Sequence, residues 1–81
     1  MPKRLKVLSG SAVVKLFENY GAVSRRTTGS HVRLVCIVSA QEYHITVPLH
    51  KELKIGTLKS ISKDFEICFG HESAQKEFFT K

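Results

Sequence analysis

Long apolar runs and acidic side chains are scarce in this sequence of 81 residues. The longest uninterrupted apolar run, Leu34 to Val38, has five residues, far fewer than the roughly 20 that cross a bilayer. The basic N-terminal segment is not followed by the apolar stretch and small-residue cleavage site of a secretory signal. We therefore expect no transmembrane segment and a cytoplasmic location.

A chain this short forms one small core, so we expect a single domain over residues 1–81.

Cysteine is also scarce, and its spacing excludes common cysteine-based architectures. Cys36 and Cys68 are 32 positions apart, and neither belongs to a CxxC pair. This spacing is typical of neither a disulfide scaffold nor a zinc-ligand set. Cys36 also falls within an apolar strand pattern, where a thiol usually behaves as a small hydrophobic side chain. The four histidines show no HxH or HxxxH spacing. We therefore expect two unpaired thiols in a reducing cytoplasm, no metal site and no cofactor.

The scarcity of acidic residues leaves an excess of positive charge. Thirteen Lys and Arg residues oppose seven Asp and Glu residues, which gives a formal net charge of +6. This charge indicates attraction to nucleic acid or to an acidic partner, and charge alone does not choose between them. Aromatic residues free for base stacking are few, so single-strand binding by stacking alone has weak support. Nine of the basic residues form three groups: Lys3, Arg4 and Lys6; Arg25 and Arg26; and Lys51, Lys54, Lys59 and Lys63.

The hydrophobic pattern predicts a helix followed by three strands. Apolar residues recur at helical spacing from Val13 to Tyr20, after Ser9 and Ser11 and before a helix-ending glycine at Gly21. Short turns and Pro48 then divide the next part of the chain into segments that are β-branched or alternate between apolar and polar residues. These predicted strands cover residues 22–28, 31–38 and 42–47.

A second helix is predicted to begin near Gly56, because apolar residues on one helical face follow it. These residues are Leu58, Ile61 and Phe65. The basic residues near its start lie where backbone N–H groups and the helix dipole favour an anion. Residues 70–73 indicate a break, and residues 74–79 a last helical turn.

The order of these elements predicts an α+β fold. Two helices in an α-β-β-β-α order are expected to cover one face of a three-stranded antiparallel sheet. We expect the core within about residues 9–67 and a short C-terminal tail over residues 68–81.

Alternation along the second strand assigns its side chains to two faces of the sheet. The opposite face from the helices carries His31 and Arg33, and we expect it to leave Val35 and Ile37 exposed, as ordinary surface residues or as part of a partner surface. The helix-facing set is apolar: Val32, Leu34, Cys36 and Val38.

One histidine stands where a site would be built. His31 follows Gly29 and Ser30, so an ionisable side chain lies beside a tight turn at the start of a strand. Histidine is the side chain that most readily exchanges a proton near neutral pH. A histidine without a visible orienting partner is more often an ordinary surface residue at a strand end, and the residues alone leave both interpretations open.

Several stretches keep a distinctive order and spacing. They are Leu8-Ser9-Gly10 before the first helix, Gly29-Ser30-His31, Ile45-Thr46-Val47-Pro48-Leu49-His50 and Glu52-Leu53-Lys54-Ile55-Gly56-Thr57-Leu58-Lys59-Ser60-Ile61. With this order, the sequence resembles the HicA family of toxins from HicA–HicB toxin–antitoxin systems over nearly its whole length. It departs from the family pattern in using Ser39-Ala40-Gln41 in place of a Pro-Asp-Gly type of turn, and in carrying Asp64-Phe65-Glu66-Ile67 near the second helix end.

The resemblance implies a fold, an activity and a partner. The fold would be like that of a double-stranded-RNA-binding domain, the activity ribosome-independent mRNA cleavage, and the partner a HicB antitoxin that covers the active site. The family's catalytic histidine falls in the Gly-Ser-His motif, which makes His31 the expected catalytic residue and assigns Gly29 and Ser30 to the turn that presents it. The expected RNA-binding residues are Arg25, Arg26, Lys51, Lys54 and Lys59.

Two other functions are compatible with the same residues. A non-catalytic module would use this architecture to bind double-stranded RNA by shape and phosphate contacts. An interaction subunit would use its positive surface to hold an acidic partner. Fold alone does not decide among them, because one architecture carries many functions.

Overall fold

The structure, a computed structural model that describes residues 3–80, arranges the chain as three helices and five strands. In chain order the elements are β1 (Arg4–Leu5), α1 (Gly10–Asn19), β2 (Val23–Thr28), β3 (His31–Val38), β4 (Gln41–Pro48), α2 (Ile55–Phe69), α3 (His71–Phe78) and β5 (Phe79–Thr80). Strands β2, β3 and β4 form one antiparallel sheet in that spatial order, and β1 pairs with β5 in a separate ribbon. The predicted α+β class and element order are confirmed. Helix α3 includes most of the helical turn predicted over residues 74–79, and the β1–β5 ribbon was not predicted.

Helix α1 begins and ends as its sequence predicts. The Ser9 side chain accepts a hydrogen bond from the backbone N–H of Ala12 at 3.1 Å, which satisfies one of the unpaired donors of the first turn. Gly21 follows the helix with a positive φ of 114°, a conformation that glycine adopts without a Cβ clash. Val13 and Phe17, four residues apart on one face, are fully buried.

Two tight hairpins fix the sheet. Gly29 and Ser30 join β2 to β3, and Gly29 alone of the pair has a positive φ, 56°, as in a type II′ turn. Ser39 and Ala40 join β3 to β4, and both have left-handed φ values, 51° and 64°, as a type I′ turn requires. Two-residue loops of these types match the twist of the strands and fix their register.

All three helices contribute to one core on one face of the sheet. The largest fully buried side chains come from every layer: Phe17, Phe65, Phe78, Leu34, Ile45, Leu58, Val13 and Val47. The Phe65 ring stands nearly perpendicular to that of Phe17 at a centroid distance of 5.0 Å, and packs edge-on against Phe78 at 5.1 Å. Such edge-to-face pairs add roughly 0.5–1.5 kcal/mol beyond their area burial.

The C-terminal segment is more regular than the sequence pattern suggests. The expected break over residues 70–73 is limited to Gly70, whose φ of 99° ends α2, and α3 begins at His71. Ala74 and Phe78 lie four residues apart on α3 and are buried in the core. Residues after α2 therefore contribute to core packing.

The predicted exposure of Val35 is wrong. Val35 is only 4% exposed, whereas Ile37 on the same face is 65% exposed, as expected. The central position of β3 explains the difference, because Val35 stands between its register partners Val23 and His44 and is shielded on both sides. Alternation identifies the face of a residue, but neighbours on that face decide its exposure.

The expectation of two unpaired thiols is also wrong. A disulfide joins Cys36 to Cys68, with their Cα atoms 6.2 Å apart. Cys36 lies on the helix-facing side of β3, and the last turn of α2 packs over that part of the sheet. A separation of 32 positions in sequence gives no indication of this packing, which brings the two thiols together in the folded chain. The bond ties the central strand to the longest helix.

Loss of the disulfide should destabilise the domain without changing its fold. The bond closes a loop across 32 positions, and loops of this length contribute about 3.7 kcal/mol by restricting the unfolded chain. We expect the double variant Cys36→Ala/Cys68→Ala to lose about that much free energy of unfolding, measured by urea denaturation. Reductant should shift the wild-type midpoint and leave that of the variant unchanged. Equal midpoints for the oxidised and reduced wild type would contradict this role.

Two tyrosine–carboxylate hydrogen bonds join helices to their neighbours. The Tyr43 hydroxyl on β4 donates to Asp64 Oδ1 on α2 at 2.8 Å, and the Tyr20 hydroxyl donates to Glu77 Oε2 on α3 at 2.7 Å. The hydrogen bond to Asp64 raises the pKa of Tyr43 above its usual 10.0, with desolvation adding to the shift. The hydrogen bond to Glu77 likewise raises the pKa of Tyr20.

These bonds should make the domain sensitive to alkali. A phenol whose pKa is higher in the folded state stabilises fully below its unfolded pKa of about 10, and that stabilisation is lost as pH rises through the folded value. We expect the free energy of unfolding to fall above about pH 10. The decrease should be smaller in Tyr43→Phe/Tyr20→Phe, measured by urea denaturation across that range. An identical alkaline decrease in both proteins would assign it to other groups.

Candidate active site on the open face of the sheet

The face of the sheet turned away from the helices carries a shallow depression of about 140 Å³. All three strands of this sheet contribute to the depression, because their register aligns polar side chains across β2, β3 and β4. The residues that line it are Arg26, Thr28, His31, Arg33 and Thr46. Two guanidinium groups, two hydroxyls and one imidazole therefore share one small concave surface, a composition suited to an anionic ligand.

His31 opens strand β3 at the edge of this depression. It is exposed, and its register partners are Thr28 on one side and Pro48 on the other. The turn before it is held by a main-chain hydrogen bond, in which Leu49 N–H donates to the Ser30 carbonyl at 2.6 Å. The turn before the imidazole is therefore held by strands β2 and β3 and by the segment that follows β4.

A backbone contact anchors the same end of the domain to α1. Gly10 N–H donates to the His50 carbonyl at 2.9 Å. A Cβ at Gly10 would lie 2.8 Å from the Leu49 Cα and closer still to the Pro48 carbonyl oxygen, so only glycine fits without displacing the backbone. The start of α1, the segment after β4 and the turn before His31 therefore form one connected structure.

A β-bulge brings two consecutive arginines to the open face. The register slips between Ser24 and Arg26, so the β2 residues on either side of Arg25 are opposite consecutive residues of β3. Arg26 then faces the depression, while Arg25 extends across the sheet to Glu42 on β4. Without the bulge, strict alternation would put these neighbours on opposite faces.

Arg26 and Arg33 are direct cross-strand partners with the same charge. Among residues 3–80, neither makes a salt bridge. Like charges directly opposite one another in a sheet are destabilising. A pair kept in this arrangement, beside an exposed histidine, is explained most simply by an anion that binds between the two guanidinium groups.

Arg25 differs from Arg26 because it is already paired. Its Nη2 atom lies 2.6 Å from Glu42 Oε2, and the other carboxylate oxygen of Glu42 lies 3.3 Å from His44 Nε2. All three side chains are about half exposed, so the pair is weak and screened by salt. An anionic ligand would have to compete with Glu42 for Arg25.

The structure places the predicted binding residues in two different regions of the domain. The depression brings together His31 and Arg26, and Gly29 and Ser30 form the adjoining turn. The predicted lysines do not line it: Lys51 lies in the segment after β4, Lys54 caps α2, and Lys59 lies on α2 in the helix layer.

Three lining residues were missing from the predicted set: Thr28, Arg33 and Thr46. Alternation along β3 carries the signal for Arg33, because it puts this residue on the same face as His31 two positions later. Thr28 and Thr46 become neighbours of His31 and Arg33 only through the strand register, which the sequence pattern did not resolve.

Across residues 3–80, no three histidine, cysteine, aspartate or glutamate side chains are grouped so that they could hold a metal ion. None of the helices in that range has the length and apolar character needed to cross a membrane.

The fold and the depression together define a small α+β domain with the element order of a double-stranded-RNA-binding domain and a histidine–arginine site on its sheet. The family model for the HicA toxin of bacterial toxin–antitoxin systems matches residues 10–67. The chain therefore belongs to the HicA toxin family, which confirms the resemblance. HicA toxins are mRNA interferases, and membership implies a HicB antitoxin as partner. No curated protein and no solved structure matches the chain.

Removing one charge of the arginine pair should stabilise the domain. We expect Arg33→Gln to raise the free energy of unfolding by a few tenths of a kcal/mol at low ionic strength, because it relieves repulsion from Arg26. The gain should shrink in high salt as the charges are screened. Urea denaturation at two salt concentrations measures both effects. Arg25→Gln is the matched control, since it removes a paired charge and should give no gain. A loss of stability in Arg33→Gln would mean that the pair is not repulsive.

Proposed function

We propose that this toxin is an endoribonuclease that cleaves mRNA with His31 as its catalytic acid–base group, and that Arg26 and Arg33 bind the scissile phosphate. The observation that carries the proposal is the cross-strand pair of arginines, without a salt bridge within residues 3–80, beside an exposed histidine at a fixed turn. Family membership supports the substrate class, since HicA toxins are mRNA interferases.

The proposed reaction is attack of the ribose 2′-hydroxyl on the adjacent phosphodiester. The 2′-oxygen forms a bond to phosphorus, the bond from phosphorus to the 5′-oxygen breaks, and the strand ends in a 2′,3′-cyclic phosphate and a 5′-hydroxyl. The 2′-hydroxyl loses a proton and the 5′-oxygen gains one. His31 carries out one of these transfers and water the other, which needs only a side chain that exchanges protons near neutral pH.

The two arginines stabilise negative charge that develops on the phosphate oxygens. A guanidinium group donates paired hydrogen bonds that match a phosphate, and it remains charged at any physiological pH. Donors fixed before the reaction need no reorganisation as charge develops, which makes this kind of stabilisation large. Arg26 and Arg33 lie on paired strands of the sheet, so the backbone that carries each guanidinium group is fixed before RNA binds.

The remaining basic residues are proposed to have smaller roles. Arg25 contributes after release from Glu42, and Lys51 and Lys54 contact phosphates beyond the cleavage site. Lys59 was predicted to bind RNA, but it lies on α2 and borders a groove in the helix layer, so we assign it no contact at the reacting phosphate. Gly29 and Ser30 keep their predicted role in shaping the turn.

A HicB antitoxin is proposed to neutralise the toxin by covering the depression. A partner that lays acidic side chains between Arg26 and Arg33 would relieve their repulsion and exclude a phosphate at the same time. Acidic residues on that partner would thus serve as substitutes for RNA phosphates.

Substitution of the histidine tests the proposal. We expect His31→Ala to lower the rate of RNA cleavage by about 10²- to 10⁴-fold, because general acid–base catalysis typically contributes that much. Cleavage of a labelled mRNA transcript gives the rate, and end-group analysis of the fragments identifies the cyclic phosphate. His44→Ala is the matched control, since His44 is exposed on the same face but does not line the depression. Wild-type cleavage should continue in EDTA.

Binding measurements separate this proposal from its alternative. His31→Ala should retain its circular dichroism spectrum and its affinity for RNA, whereas Arg33→Gln should weaken RNA binding more than Arg25→Gln does. If folded His31→Ala cleaved RNA at the wild-type rate, His31 would not be the catalytic residue. RNA binding without cleavage by the wild type would favour a non-catalytic double-stranded-RNA-binding module.

A further inference from the structure

A groove of about 410 Å³ lies in the helix layer, where β1, the segment before α2 and the first turns of α2 meet. Leu53 and Leu58 line it and belong to the core, with 4% and 2% of their surface exposed. Because Leu58 packs with the sheet residues of that core, the groove lies on the helix side of the sheet and the His31 depression on the opposite side.

The walls of the groove carry apolar side chains that are unusually exposed. Val7 is 76% exposed and Ile55 is 72% exposed, the highest values among the large apolar residues of the described chain. Single exposed apolar residues are ordinary on protein surfaces. Here two exposed apolar residues border the same groove, and core leucines line its floor. A single apolar side chain that entered the groove would therefore contact both walls and the leucines.

The rim of the groove is basic. Lys3, Arg4 and Lys59 line it, and none of them makes a salt bridge with a residue in the range 3–80. Lys6 also lines it, with its Nζ atom donating to the Lys76 carbonyl at 3.3 Å. Glu52 is the single acidic lining residue within that range. The rim is therefore strongly positive around an apolar centre.

We propose that this groove docks an acidic segment of a partner protein that inserts one bulky apolar side chain between Val7 and Ile55. Charge complementarity selects an acidic occupant, and the apolar walls select a peptide over a nucleic acid backbone. A second copy of this chain fits poorly, because each copy has a formal net charge of +6 and would bring more positive charge to the rim.

The inference goes beyond the proposed nuclease and does not depend on it. A partner in the groove would contact the helix layer and β1, and would leave the depression with His31, Arg26 and Arg33 open on the other side of the sheet. The domain would therefore hold an acidic partner segment and an RNA strand at the same time.

Fluorescence anisotropy with two labelled peptides tests the docking surface. One short peptide alternates glutamate with leucine, and the other carries serine in place of each leucine. We expect the full chain to bind the leucine peptide at least about tenfold more tightly, because only leucine buries apolar surface between the walls. A short RNA oligonucleotide should not displace it, and His31→Ala should bind it normally, whether or not His31 proves catalytic.

Matched variants locate the binding. Ile55→Ser and Lys59→Glu should each weaken binding of the leucine peptide about tenfold. Their controls, Ile37→Ser on the open face and Lys15→Glu on α1, alter the same residue types at exposed positions outside the groove and should leave the affinity nearly unchanged. Circular dichroism checks that each variant is folded.

Several results would overturn the proposal. These are failure of the leucine peptide to bind, equal loss of affinity in groove and control variants, and displacement of the peptide by RNA. Phosphatidylserine vesicles that bind through Ile55 more strongly than the peptide would identify a lipid surface as the occupant instead. Self-association of the wild type that Ile55→Ser abolishes would identify a second copy of the chain.

Discussion

Burial of one face of strand β3 is the constraint on which the other features depend. Val32, Leu34 and Cys36 must lie under the helices, and the period of two then sends His31 and Arg33 to the opposite face. A register slip of one residue would bury the arginine and expose the leucine, at a cost of several kcal/mol. The two-residue hairpins on either side of β3 hold that register, so the same packing that builds the core also assembles the depression.

Periodicity explains how much of this could be predicted from sequence. Helix α1 and the three sheet strands follow from spacing, caps and turns, and these local signals agree with the tertiary packing. Gly29 and Ser30 identified the turn, and family resemblance drew attention to His31. Alternation along β3 also predicts that Arg33 lies on the same face as His31. Its pairing with Arg26 could not be predicted, because it depends on the bulge in β2.

The features that escaped prediction arise from contacts between distant segments. The Cys36–Cys68 bond follows from α2 packing over β3, and no local pattern records that proximity. The burial of Val35 depends on flanking strands, and the regularity of α3 depends on a place for Phe78 in the aromatic core. These three predictions failed because a hydrophobic pattern describes one helix or strand at a time. The exposure of a residue and the pairing of two cysteines depend instead on which other elements pack against that helix or strand.

The main-chain contacts of Gly10 restrict the movement of the proposed RNA-binding site. Gly10, Leu49 and Ser30 are linked by backbone hydrogen bonds and by a contact too close for any side chain, so the turn before His31 has little freedom to rearrange. In the proposed function, such a site is preorganised, because the turn loses its conformational entropy during folding and RNA binding does not have to order it. The proposed recognition of RNA would then be nearly rigid docking to the shape that the free domain already has.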